Sequence, residues 1–225
     1  MNQRSTFGRG LGLVEVLLVI AMCWVLAACL FTWRASAREW NAKQTCMNNL
    51  RQIGVGCAMY SGDYDNYYPP VRAAGATVSR PMKSLSLLFD MYVDNKKIFV
   101  CPATADDCRD LRPGQSFQPH GSRTAEGDRR QCSYAYDDTR GPNTRSNIVI
   151  AGDAPAIENP RGAPTGRNSD NHFGEGQNVL MYGGNRVVWI TNTKNPEIAD
   201  DDIYATANPQ NPGDKDSYIH QDEVR

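Results

Sequence analysis

The chain holds 225 residues, with 24 basic against 25 acidic side chains and a formal net charge of −1. That balance excludes nucleic-acid binding driven by overall positive charge, and seven cysteines are too few for a disulfide-built scaffold of this length. Beyond the first apolar segment about 190 residues remain, enough for one modest domain with its own core.

The first element is an apolar run from Leu11 to Trp33 whose single formal charge is Glu15. As an α-helix this run reaches roughly 35 Å, enough to cross the hydrocarbon core of a bilayer. A carboxylate so near its start costs roughly 2.5–3.5 kcal/mol on insertion scales and requires an offset. A new α-amine, created by cutting between Gly10 and Leu11, would supply one. Three other readings stay open. The run serves equally as an uncleaved anchor, or as a secretory signal ending at Ala35-Ser36-Ala37. Leu26-Ala27-Ala28-Cys29 has the form of a lipoprotein box with Cys29 lipidated, although Leu30-Phe31-Thr32-Trp33 continues the apolar run past that cut.

Arg34, Arg38, Glu39 and Lys43 mark the exit from the apolar phase, and apolar residues then recur at Trp40, Met47, Leu50, Ile53, Cys57 and Tyr60. With no proline before Pro69, the spacing predicts one helix from Leu11 to about Tyr60 with a single buried stripe. Gly62 is expected to close it in the left-handed conformation ahead of Pro69-Pro70. A short second helix is predicted over Pro81–Val93, and a buried strand over Ile98–Cys101. From Ala103 to Gln131 turn signals dominate, predicting a surface loop in which Arg109, Arg112, Arg123, Arg129 and Arg130 are balanced by acids. Four further stretches read as strands: Cys132–Tyr136, Asn147–Ala151, and Asn178–Tyr182 joined to Arg186–Ile190 as a hairpin across Gly183-Gly184-Asn185. In that hairpin Val187 and Trp189 share one face, Val188 and Ile190 the other. The predicted fold class is α+β: a long N-terminal membrane-spanning spine helix packed on a small antiparallel β-sheet.

A basic leader, Gly10, an apolar residue and Glu15 as the fifth residue of a long apolar helix resemble the prepilin cleavage and methylation segment. That segment belongs to type IV pilins and type II secretion pseudopilins. Leu11 and Gly12 stand where Phe and Thr are usual. Cys46-Met47-Asn48-Asn49-Leu50-Arg51-Gln52-Ile53-Gly54, Ile98-Phe99-Val100-Cys101-Pro102 and the stretch from His172 to Val187 resemble segments of the pilin-like proteins that carry an H-x9-D-G tail. Tyr182 stands where that Asp would be. The resemblance implies a leader over 1–10 and a transmembrane or filament-core helix over 11–33. It further implies an exposed helical half over 34–62, a pilin-like head over 63–190 and an acidic irregular tail over 191–225. It implies cleavage between Gly10 and Leu11 by a prepilin peptidase, N-methylation of Leu11, and an assembly role for Glu15. Partners would be like subunits and an inner-membrane assembly platform. The head would be periplasmic, or extracellular once in a filament.

Cys101–Cys132 is the expected disulfide, joining two strands across the loop, with Cys101–Cys108 as the alternative. Asp200-Asp201-Asp202 with Asp214 and Asp216 offer oxygen ligands for Ca²⁺, which the major pseudopilin family holds in a C-terminal loop. The spacing lacks D-x-D-x-D-G, so solvated acids and no cofactor are the expectation. His120, His172 and His220 lack ligand spacing and read as surface histidines. No catalytic motif is present in the sequence, so the chain reads as the substrate of an enzyme and not as one.

Overall fold

The computed structural model describes residues 12–70, 80–117, 131–141, 143–155, 167–183, 186–198, 201–204 and 219–220. The chain divides into two compact units, Met1–Asn41 and Ala42–Arg225.

Helix α1 runs from Leu13 to Asp63, 51 residues, within a few residues of its expected bounds. Its span Leu13–Leu30 has a mean hydropathy of 2.7 and no buried residue. This is the one helix among the described residues that is long and apolar enough to cross a membrane, although an N-terminal signal sequence has the same character. Trp40, expected on the buried stripe, is exposed.

In the second unit most of the predicted stripe is buried: Leu50, Ile53 and Cys57 are fully covered and Tyr60 nearly so, whereas Met47 is half-buried and its neighbour Cys46 is fully covered instead. Asp65 and Asn66, not Gly62, take the left-handed conformation that ends the helix, with φ of 49° and 63°. Asn and Asp tolerate that region because a short polar side chain bonds locally. Here the Asn66 N–H donates back to the Ser61 carbonyl at 2.9 Å.

The expected helix over Pro81–Val93 is shorter. Helix α2 covers only Pro81–Ser86, because Asp90 adopts φ 76° and the Tyr92 and Val93 N–H groups both turn back to the Leu88 carbonyl. The predicted strand at Ile98–Cys101 is a 3-10 turn instead, Lys96–Phe99. Asn95 is the cause: its side chain accepts from Lys97 N at 3.1 Å and caps the turn. Of the following loop, the described residues to Phe117 contain turns and no helix or strand, while Arg123, Arg129 and Arg130 lie outside the described residues.

Four strands form an antiparallel meander in the order β1-β2-β3-β4: β1 Tyr134–Tyr136, β2 Val149–Asp153, β3 Gln177–Met181 and β4 Val187–Ile190. All four were legible to within a few residues, and β3–β4 pair as the predicted hairpin. The architecture is α+β. One sheet face packs Tyr134, Tyr136, Ile148, Ile150, Leu180 and Val187 with the α1 stripe and Phe99. The opposite face packs Ala135, Val149, Val179, Met181, Ile190 and partly buried Val188 against Ile203, Tyr204 and Ile219. This adds to the reading of 191–225 as an acidic irregular tail, since its described residues include part of the core. His220 extends the contact by pairing with Tyr136 at the β1 edge. Coverage of both faces explains why every residue of β2 and β3 is buried.

Candidate functional site

Two places carry chemistry. At the membrane-type end, Gly10 and Leu11 lie outside the described residues. Glu15 sits in the first turn of α1, and its carboxylate accepts the Gly12 N–H at 2.9 Å. The first N–H groups of a helix lack partners, and a carboxylate three residues in meets one of them and the positive end of the helix dipole. Part of the cost of placing Glu15 in an apolar segment is thus offset within the chain.

The second place lies within Ala42–Arg225, where the three stretches that carry the internal resemblance converge. Cys46 on α1 and Cys101, just past the 3-10 turn, form a disulfide with a Cα–Cα distance of 5.5 Å. This overturns the expected Cys101–Cys132 pair. Once Ile98–Cys101 coils as a turn, no strand register holds Cys101 opposite Cys132, and the buried helix stripe presents Cys46 instead. Cys132 is a buried thiol whose Sγ donates to the Tyr134 carbonyl at 3.5 Å. Cys108, the alternative partner, is also a free buried thiol. Beside the disulfide, Asn49 Nδ2 donates to the Val100 carbonyl at 3.2 Å and the Tyr134 hydroxyl at 3.3 Å.

His172, at the end of a short 3-10 helix, is fully buried, as is His220, against the expectation that both are surface residues. His120 is outside the described residues. His172 Nε2 lies 3.7 Å from Cys101 Sγ and 3.5 Å from Asp153 Oδ2. Asp153, at the end of β2, is held on several sides. Its Oδ2 accepts the Asn178 N–H at 2.7 Å, and its Oδ1 accepts Asn171 Nδ2 at 3.1 Å. Outside His172, the Trp189 ring stands edge to face at 5.4 Å. Lys43 Nζ lies 4.7 Å over that indole and 2.5 Å from Glu175. Gly176 has to be glycine, because a Cβ there would meet the Ile190 carbonyl and come within 2.7 Å of Trp189.

The cluster contains Cys, His and carboxylate, but not as a nucleophile relay. One ring nitrogen faces both the sulfur and the carboxylate, whereas a relay uses the two nitrogens separately. All four side chains are also closed to solvent. What the arrangement can do is staple a helix to a sheet covalently and keep a buried carboxylate and imidazole mutually satisfied.

Burial raises the Asp153 carboxyl above its ordinary value, partly opposed by His172 and by the Asn178 and Asn171 hydrogen bonds. A carboxyl raised in the folded state stabilises the fold fully below the unfolded value of about 4, and that contribution is lost as pH rises through the folded value. Asp153→Asn should therefore flatten this fall. The check is the urea midpoint of both chains from about pH 4 upward; parallel curves would contradict the assignment. Cys57 is pushed up to about 12 by burial, eased by the Tyr136 hydroxyl, which marks it as an inert core thiol.

Of the acids considered for Ca²⁺, Asp201 Oδ2 accepts Asn195 Nδ2 at 2.9 Å, while Asp202 accepts Thr193 Oγ1 at 2.9 Å and Tyr204 N at 3.0 Å. These bonds order the loop. Asp200, Asp214 and Asp216 are outside the described residues. Arg109 of the basic loop pairs with Asp107 at 2.6 Å. No signal in the sequence marked His172 as buried beside Cys46 and Cys101, apart from the place of Cys46 between the exit from the apolar phase and Leu50. Comparison with models of known protein families, with curated proteins and with solved structures found no match.

Proposed function

We propose that the chain is a structural subunit of a pilin-like filament, either a type II secretion pseudopilus or a type IV pilus. In this reading the leader is cut between Gly10 and Leu11 by a prepilin peptidase, and Leu11 is methylated. The apolar helix then waits in a bacterial inner membrane with the head in the periplasm, until an assembly platform draws it into the filament. The observation that carries the reading is Glu15 at the head of a span of mean hydropathy 2.7 with no buried residue. An acid in that position is costly in lipid. The Gly12 N–H offsets part of the cost, and the Leu11 amine of a neighbouring subunit would offset more. A subunit out of axial register would leave the charge unpaired. The α+β head, with a helix lying on an antiparallel meander, is compatible with this role.

The expected result is a mature chain beginning at Leu11, read by intact mass or N-terminal sequencing of the native protein. Gly10→Arg should abolish that processing. Glu15→Ala should leave cleavage and insertion intact and lower recovery in sheared filaments at least tenfold. A mature chain that begins at Met1 would make the span a plain anchor, and one that begins at a lipidated Cys29 would make the protein a tethered envelope or binding protein. Either outcome overturns the filament reading.

A further inference from the structure

We propose that Cys46, Cys101 and His172 form a three-residue zinc site whenever the two cysteines are thiols. The Cys46–Cys101 disulfide and the metal would then be two exclusive states of one buried centre. The three donor atoms Cys46 Sγ, Cys101 Sγ and His172 Nε2 all lie within 4.8 Å of one another. They come from three separate segments, a helix, the stretch just past a 3-10 turn and a short 3-10 helix, each fixed by its own packing. On a tetrahedral zinc, with Zn–S of about 2.3 Å, two thiolates stand roughly 3.8 Å apart. Rotation about the two Cα–Cβ bonds brings the sulfurs to that separation from a Cα–Cα distance of 5.5 Å, without moving the backbone.

Asp153 Oδ2 lies 3.5 Å from His172 Nε2, so a carboxylate stands beside the histidine of the set. The Asn178 N–H and Asn171 amide hold that carboxylate in place. The donors are soft or borderline and wholly closed to water, which favours zinc over calcium or magnesium. Two thiolates cancel the charge of the ion, so no net charge is buried with the metal.

The chemistry balances in both directions. Binding deprotonates two thiols, so one Zn²⁺ enters as two protons leave. Oxidation of the same thiols passes two electrons and two protons to a disulfide oxidant of the thiol–disulfide oxidoreductase class and forms the Cys46–Cys101 bond. Reduction by a dithiol or phosphine restores the metal-competent state. Zinc would thus protect the pair until the exported chain meets an oxidant.

The test uses the full chain in detergent, reduced with a phosphine under inert gas and titrated with Zn²⁺ against a chromogenic chelator, then with Co²⁺ followed by absorbance. One metal per chain is expected, together with a thiolate-to-cobalt charge-transfer band and the visible bands of tetrahedral cobalt. His172→Gln and Cys46→Ser should each weaken binding by roughly tenfold or more, whereas a Cys108→Ser/Cys132→Ser chain should keep it. The oxidised wild-type chain supplies a folded control that lacks the thiolates. The proposal fails if the reduced protein gives no charge-transfer band, if the oxidised protein binds zinc equally well, or if His172→Gln and Cys46→Ser bind as tightly as wild type.

Discussion

A chain carrying Cys46→Ser and Cys101→Ser together should lose about 4 kcal/mol of stability, the loop-closure entropy of a cross-link that spans 55 residues. For a chain of this size that loss corresponds to a fall in Tm on the order of 10 °C. The double substitution is required, because a single one leaves a thiol that can find Cys132. The bond does more than shorten a loop in the unfolded chain. It ties the buried stripe of α1 to the segment that carries Phe99, at the point where Asn49 holds the Val100 carbonyl and the Tyr134 hydroxyl. Thermal unfolding of the detergent-solubilised protein checks the prediction. A thiol reductant added to wild type, with metal withheld, should reproduce the shift and should leave the double variant unmoved. An unchanged midpoint in either experiment would show that the cross-link does not hold the head.

Arg140→Ala should cost about 3–5 kcal/mol, because it strands a buried carboxylate. Arg140 Nε lies 2.6 Å from Asp137 Oδ2, with the two side chains 3% and 0% exposed. Asp137 Oδ1 also accepts from Thr139 N at 3.0 Å and from the Thr139 hydroxyl. The loop so fixed has two further attachments. Asp138 Oδ2 accepts Arg80 N at 2.7 Å and Ser84 Oγ at 3.0 Å at the start of α2, and the Gly141 carbonyl accepts the Tyr182 hydroxyl at 3.1 Å. Loss of Arg140 is therefore felt beyond its own pair. Asp137→Asn combined with Arg140→Met removes both charges and should recover a large part of the loss, since the penalty arises from the unpaired ion and not from absence of the bond. Urea unfolding of Asp137→Asn, of Arg140→Met and of the double variant decides the matter. Additive losses would mean that the two side chains do not act as a pair.

How much of this was legible depended on whether the signal was local. The apolar span, the period of Leu50, Ile53 and Cys57, and the hairpin around Gly183 are written in neighbouring residues, and they lie close to where the sequence puts them. Ile98–Cys101 misled because an apolar run says what is buried but not how the backbone runs, and Asn95 decided for a turn. The cysteine pairing followed that error. His172 looked exposed amid Asn, Gly and Glu, because its partners Asp153 and Cys101 come from distant segments. Ile203, Tyr204 and Ile219 lie in a polar acidic stretch with no apolar period, so their place in the core could be set only by the sheet they cover.

The placement of Ile219 and His220 against β1 and the outer sheet face has a consequence for how the protein is made. Synthesis proceeds from the amino end, so α1 and both cysteines of the cross-link are available well before residues 219–220 leave the ribosome. Until those late residues arrive, only Ile203 and Tyr204 are at hand to cover Val149, Val179 and Met181 on that side of the meander. The nascent head therefore passes through a period with part of an oily sheet face open to any neighbour, and a chaperone or an identical unfinished chain would be drawn to that face first.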